Sequence, residues 1–181
     1  MTSEKKDQQS LFDMLIKSDE KPVALKVSKT TSEFTLYVDG ASRGNPGKSG
    51  AGVYLTENKK SIVEKGFFLG IRTNNEAEYL AMLLGIYFFK LHAKKDSSLM
   101  IISDSLLLIR QMQKVYKVKK PELQKFHTIA THELTGHSVS FQHVEREFNT
   151  IADALANDGV DKKTVVPLKF LDMLSTYEFY F

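Results

Sequence analysis

The sequence contains no cysteine, which excludes a disulfide framework and any thiolate metal site. No apolar run approaches the roughly 18 residues of a membrane span, and the first ten residues, MTSEKKDQQS, are polar. A soluble, cytoplasmic protein with no membrane partner is the expectation. No internal repeat or low-complexity tract is present, and no Ser-His-Asp set stands out to supply a nucleophilic side chain. An excess of one charge is lacking too, with 25 Lys and Arg against 22 Asp and Glu and a net charge of +3. Mild basicity permits a nucleic-acid partner without demanding one.

What is present is enough for one well-buried core: 181 residues, 42% hydrophobic and 26% charged. Residues 1–32 read as a polar N-terminal extension, interrupted by an apolar cluster from Leu11 to Ile16 that fits a short helix. Residues 33–160 read as one α/β domain. Residues 161–181, which include VVPLKFLDMLSTYEFYF, form a C-terminal tail whose aromatic content predicts packing on the domain or on a partner. A monomer is expected, with a tail-mediated dimer as the alternative.

Within the domain, Phe34, Leu36 and Val38 alternate with Thr35, Tyr37 and Asp39, the period of a strand. GASRGNPGKSG follows as a turn signal. AGVYLTE and SIVEKGFFLGI, separated by Asn58-Lys59-Lys60, predict two more strands in an antiparallel meander. Ala77, Leu80, Ala81, Leu84, Phe88 and Leu91 then recur at helical steps, predicting a helix buried along one face. LMIIS suits a central strand. Helices near Ser105 to Val115 and Pro121 to Leu134, a strand SVSFQHV and a helix near Asn149 to Asp158 complete the order βββαβααβα. The fold class is α/β, a five-stranded mixed sheet flanked by helices, with crossover-linked strands parallel.

Four acids carry the functional signal. Asp39 and Asp104 interrupt the hydrophobic ends of what should be two central strands, where an unpaired charge is costly; if those strands are parallel neighbours, both carboxylates emerge at one edge, where open α/β sheets bind ligands. Glu78 and Asp153 fall in the early turns of two helices, where the helix dipole favours negative charge. Each acid also has a simpler job on offer. Asp39 precedes Gly40 as turn residues do, Glu76 and Glu78 both sit three residues after a capping residue, Asp104 suits an N-cap, and Asp153 suits a first helical turn.

The strings YVDGASRGNPG, TNNEAEYLA, SDS and N-x-x-ADALAN, in this order and spacing, resemble type 1 ribonuclease H over about Phe34 to Asp158. The resemblance implies the RNase H-like fold and an endoribonuclease that cuts the RNA strand of RNA/DNA hybrids, leaving 5′-phosphate and 3′-hydroxyl ends. It places the family's catalytic, metal-holding acids on Asp39, Glu78, Asp104 and Asp153, and prefers Glu78 to Glu76. Two Mg²⁺ ions are implied, with Mn²⁺ as a substitute and no organic cofactor. Such ions, held by oxygen ligands roughly 3.5 to 4 Å apart, activate water and stabilise the leaving oxygen, and four carboxylates approximately neutralise them. Gly40, Asn45, Thr73, Asn74 and Asn75 are the implied substrate contacts, reading the 2′-hydroxyls of RNA and a DNA phosphate.

The chain departs from the best-known bacterial pattern in three places. The loop before the last acid is the short HVEREFN, so His143 is given no catalytic role and Arg146 becomes the substrate-contact candidate of that loop. Leu106 stands where a polar contact to the hybrid is common. The family's basic, Trp-rich handle is absent, and Lys114, Lys117, Lys119 and Lys120 around YKVKKP form a smaller candidate phosphate patch. A non-cleaving binding module on the same fold, or a nuclease acting on double-stranded RNA, are the alternatives.

Overall fold

The computed structural model describes residues 32–181. The expected N-terminal extension and its Leu11 to Ile16 cluster lie outside the described residues.

Three strands, β1 (Glu33–Gly44), β2 (Gly47–Glu57) and β3 (Lys60–Arg72), form the antiparallel meander. Helix α1 (Asn74–His92) crosses to β4 (Ser98–Ser103), which lies parallel to β1. Helices α2 (Leu106–Met112) and α3 (Pro121–Glu133) lead to β5 (Ser138–His143), parallel to β4. A 3₁₀ turn at Arg146–Phe148, α4 (Thr150–Lys162) and α5 (Leu168–Ser175) complete the described chain. The sheet order is β3-β2-β1-β4-β5, the five-stranded mixed sheet expected from the element order.

The glycine-rich stretch after Asp39 is not a turn but strand. β1 and β2 pair continuously from Phe34–Glu57 to Gly44–Gly47, leaving only Asn45-Pro46 at the tip, so Asp39 sits within β1 rather than at its end. The reason is tertiary. Gly50 in that stretch, with Gly52 of β2 and Gly66 of β3 beyond it, lies directly under α4, where a Cβ would come within 2.2 Å of the carbonyl oxygens of Ala156, Ala152 and Leu155 respectively. These glycines let a helix rest on bare strand backbone.

The two sheet faces are covered differently. Leu36 and Gly40 of β1 face α1, whereas Gly52, opposite Asp39 in the ladder, faces α4. α1 is buried not along one face, as its periodicity predicts, but without a break from Ala77 to Ile86. Its outer side is closed by α3 and the C-terminal segment. Phe170 of α5 is fully buried with its ring 5.8 Å from Tyr87, and Phe179 stacks edge-on against Phe126 of α3 at 5.0 Å. The helix at 168–175 was not part of the expected order, because eight residues after a proline give too short a periodic signal. Among the described residues no helix is long and apolar enough to cross a membrane.

Candidate active site

β1 and β4 pair in parallel through Tyr37–Ile102. Two residues further along each chain stand Asp39 and Asp104, which brings both carboxyls to one edge of the sheet. α1 delivers Glu78 to the same place because Gly40 has no side chain: a Cβ there would lie 2.2 Å from the Glu78 backbone nitrogen. Gly40, a predicted substrate contact, is itself buried, and its packing alone accounts for the absence of a side chain. Asp153 comes from the first turn of α4, seated on the opposite face.

The simpler jobs are taken by other residues. Thr73 caps α1 in a reciprocal capping box with Glu76, whose carboxylate accepts from the Thr73 amide at 2.8 Å. That leaves Glu78 outside the helix cap. Ser105, not Asp104, caps α2, and Asp39 is a ladder residue opposite Gly52.

Electrostatically the cluster is strained. Asp39 and Glu78 are each only 6% exposed. Burial, followed by the charges of Asp104 and Asp153, pushes the Asp39 carboxyl up to about 7, against partial relief from the Gly40 amide and Arg146. Burial, then Asp39 and Asp104, pushes Glu78 well above the ordinary carboxylate range. Glu78 Oε2 is buried with no hydrogen-bond partner.

Asp104 and Asp153 do have partners. Asn149, 1% exposed, donates from Nδ2 to Asp104 Oδ1 at 2.8 Å and to the Val38 carbonyl at 3.0 Å. Both acceptors fix the amide orientation, since a flip would set oxygen against oxygen. Its backbone carbonyl also begins α4, accepting from the Asp153 amide at 3.1 Å, so one residue, through side chain and backbone together, ties three acid-bearing segments. The sequence held it in plain view, four residues before Asp153 in N-x-x-A-D, yet its role depends on β1 and β4, which are distant in the chain. Arg146, on the 3₁₀ turn, pairs its guanidinium with Asp153. His143 lies on β5 and its Nε2 meets the Asp104 carbonyl at 3.2 Å, a backbone contact.

Asn45, Asn74 and Asn75, three of the predicted substrate contacts, lie together at the adjoining rim. The Asn45 side chain accepts from the Asn74 amide at 3.0 Å, joining the β1–β2 tip to the start of α1, where Asn74 is exposed and Asn75 half-buried. Beyond Asn75 an open cleft of about 580 Å³ is lined by Leu107, Tyr116, Lys117, Lys119 and Lys120 among others. Lys114 lines the neighbouring hollow instead. Leu106 is exposed at the first position of α2.

Among the described residues no three Asp, Glu or His side chains converge tightly enough to hold an ion as they stand. The donor chemistry nevertheless fits a hard divalent cation. All four candidates are carboxylates, two are buried with their charge opposed, and one oxygen has no partner.

A protein-family model described as reverse transcriptase-like matches residues 37–159. The chain is 34% identical over 151 residues to a ribonuclease H of Coxiella burnetii, covering 70% of this chain and 89% of that one. It is 38% identical over 133 residues to a bifunctional protein of Mycobacterium tuberculosis, covering 71% of this chain but only 36% of the relative's length. Among solved structures it resembles LC11-RNase H1, isolated from compost by a metagenomic approach and crystallised with an RNA/DNA hybrid, with 36% identity, a TM-score of 0.68 and coverage of 71% and 97%.

Proposed function

Because the chain belongs to the type 1 ribonuclease H family, we propose that it is a divalent-metal-dependent endoribonuclease that hydrolyses the RNA strand of RNA/DNA hybrids. The observation that carries this reading is the pair Asp39 and Glu78, buried side by side with raised pKa values and one orphaned oxygen. Such a pair is expensive to keep unless a cation joins it. A binding module that did not cut would gain nothing from setting this charge beside phosphate.

In this reading Asp39, Glu78, Asp104 and Asp153 hold two Mg²⁺ ions, or Mn²⁺ in their place, which when bound supply the charge that activates the attacking water and stabilises the departing oxygen. The water oxygen forms the new bond to phosphorus, the P–O3′ bond breaks, and the 3′ oxygen takes up a proton, giving 5′-phosphate and 3′-hydroxyl ends. Asn149 keeps the Asp104 carboxylate aimed along the sheet edge. Thr73, Asn74 and Asn75 at the start of α1, with Asn45 across from them, form the rim where the minor groove of the hybrid is read. The three lysines of the adjoining cleft offer charge to a phosphate backbone.

The test is cleavage of a labelled hybrid beside the matching RNA and DNA duplexes, with Mg²⁺ or Mn²⁺. Metal-dependent cutting of the RNA strand of the hybrid, lost in Asp39→Asn, is the expected result. Binding of hybrid without cutting by folded protein would replace this reading with the binding module, and a preference for the RNA duplex would replace the substrate.

A further inference from the structure

We propose that Arg146 is the resident counter-cation of the acid cluster, which a divalent ion must displace from Asp153 and which is thereby freed to grip a phosphate of the hybrid. The inference rests on the function proposed above and adds a coupling between metal loading and substrate binding through one side chain.

Three observations carry it. First, of the ion pairs among the described residues, only Arg146–Asp153 involves any of the four acids. The acids do not form an open cage as they stand, and Asp153 is the one turned to a cation of the protein itself. Second, the reach of that cation extends past its partner. Arg146 lies close enough for its positive charge to act on Asp39 and Glu78 as well as on Asp153, the partner it touches. Third, the side chain is built to leave. Arg146 is 75% exposed on its side chain, against 27% for Asp153. It projects from a turn whose backbone is pinned independently by the Asn149 amide, which donates to the Arg146 carbonyl at 3.0 Å.

An arginine cannot vacate the site by losing its proton, so exchange requires movement of the side chain. An exposed pair of this kind is weak and changes partners readily. A hard divalent ion competes well for a carboxylate, and a displaced guanidinium beside a phosphodiester finds a planar, bidentate partner. By linkage, hybrid that draws Arg146 away must tighten metal binding, and metal must tighten hybrid binding, by the same factor.

The experiment is calorimetric titration of Mn²⁺ into the wild-type chain and into Arg146→Ala, each alone and with a hybrid made non-cleavable by 2′-O-methylation. Because Arg146 is exposed, the variant is expected to fold, which its circular dichroism checks. Expected without hybrid is Mn²⁺ binding about 3- to 10-fold tighter in Arg146→Ala, with a lower melting temperature for the metal-free variant and a larger upward shift on adding Mn²⁺. Expected with hybrid is a gain in Mn²⁺ affinity that is roughly fivefold smaller in the variant than in wild type. Equal or weaker Mn²⁺ binding by a folded variant, or an undiminished gain with hybrid, overturns the proposal while leaving the nuclease reading intact. Failure of wild type itself to bind Mn²⁺ overturns both.

Discussion

Two buried carboxylate sites in this molecule are close to equal in exposure and opposite in character. At the sheet edge Asp39 and Glu78 are each 6% exposed, and at the far end of α1 Glu133 is 8% exposed. Burial alone pushes all three toward the neutral form. At Glu133 it is outweighed: Lys90 and the Tyr177 hydroxyl both donate to the carboxylate, and the charges of Lys90 and His132 add to them, so its pKa ends below the ordinary value. At Asp39 and Glu78 the neighbours are other acids, and the pKa values rise. Glu133 is a completed network that joins α1, α3 and the C-terminal segment. The other site is left incomplete by the protein, and the difference lies in partners rather than in depth.

Opposite signs on mutation would be the sharpest expression of this contrast. Asp39→Asn should lose at least about 100-fold in hybrid cleavage while making the metal-free fold more stable by on the order of 1–3 kcal/mol at pH 8. The pH dependence follows in the same direction. Asp39 has an ordinary value of 3.8 and is held at about 7 in the fold, so the folded chain binds this proton more tightly than the unfolded chain. Metal-free stability should therefore fall as pH climbs from about 4 to about 7. Urea melts across that range should show a flatter profile for Asp39→Asn; an unchanged slope would mean that Asp39 is not under strain.

Asn149→Ala tests whether the incomplete site is nonetheless held in place. Cleavage should drop about 10- to 100-fold, and stability by about 1–3 kcal/mol as the Val38 carbonyl loses its partner. A stability loss with undiminished kcat would reduce Asn149 to a structural residue.

Glu133→Gln should instead behave as the breaking of a finished network, costing about 1–3 kcal/mol with the kcat of the folded enzyme unchanged. Because the Glu133 pKa is lowered, its contribution is present above its ordinary value of 4.5 and disappears as pH falls through the folded value, the reverse of Asp39. The smallest change is Tyr177→Phe, about 1 kcal/mol, since it removes one donor and keeps the ring. If denaturation midpoints gave Glu133→Gln the same sign as Asp39→Asn, the comparison would collapse.

Much of the sheet edge was legible in the sequence because the signals were local. Asp39 and Asp104 break hydrophobic strands that the crossover makes parallel, and the pairing of β1 with β4 in the structure makes them neighbours. The preference for Glu78 over Glu76 rests on family resemblance alone; what the structure adds is that Glu76 is engaged with Thr73 in the helix cap. GASRGNPGKSG reads as a turn because glycine and proline say so locally, whereas its strand conformation depends on helices lying across it. Asn149 and the Lys90–Glu133–Tyr177 network carry no local signal for the same reason: their partners lie 43 to 111 positions away.

The bare backbone on which α4 rests has a consequence for redesign. Most protein interiors absorb sequence drift by trading volume between neighbours, one side chain shrinking as another grows. Under Ala152 and Leu155 there is no volume to trade, since Gly52 and Gly66 contribute none. A methyl group added there has to lift the helix, and Asp153 with it. The middle of β2 and β3 therefore has little latitude, and a more rugged version of this protein is better engineered from the side of α3 and α5.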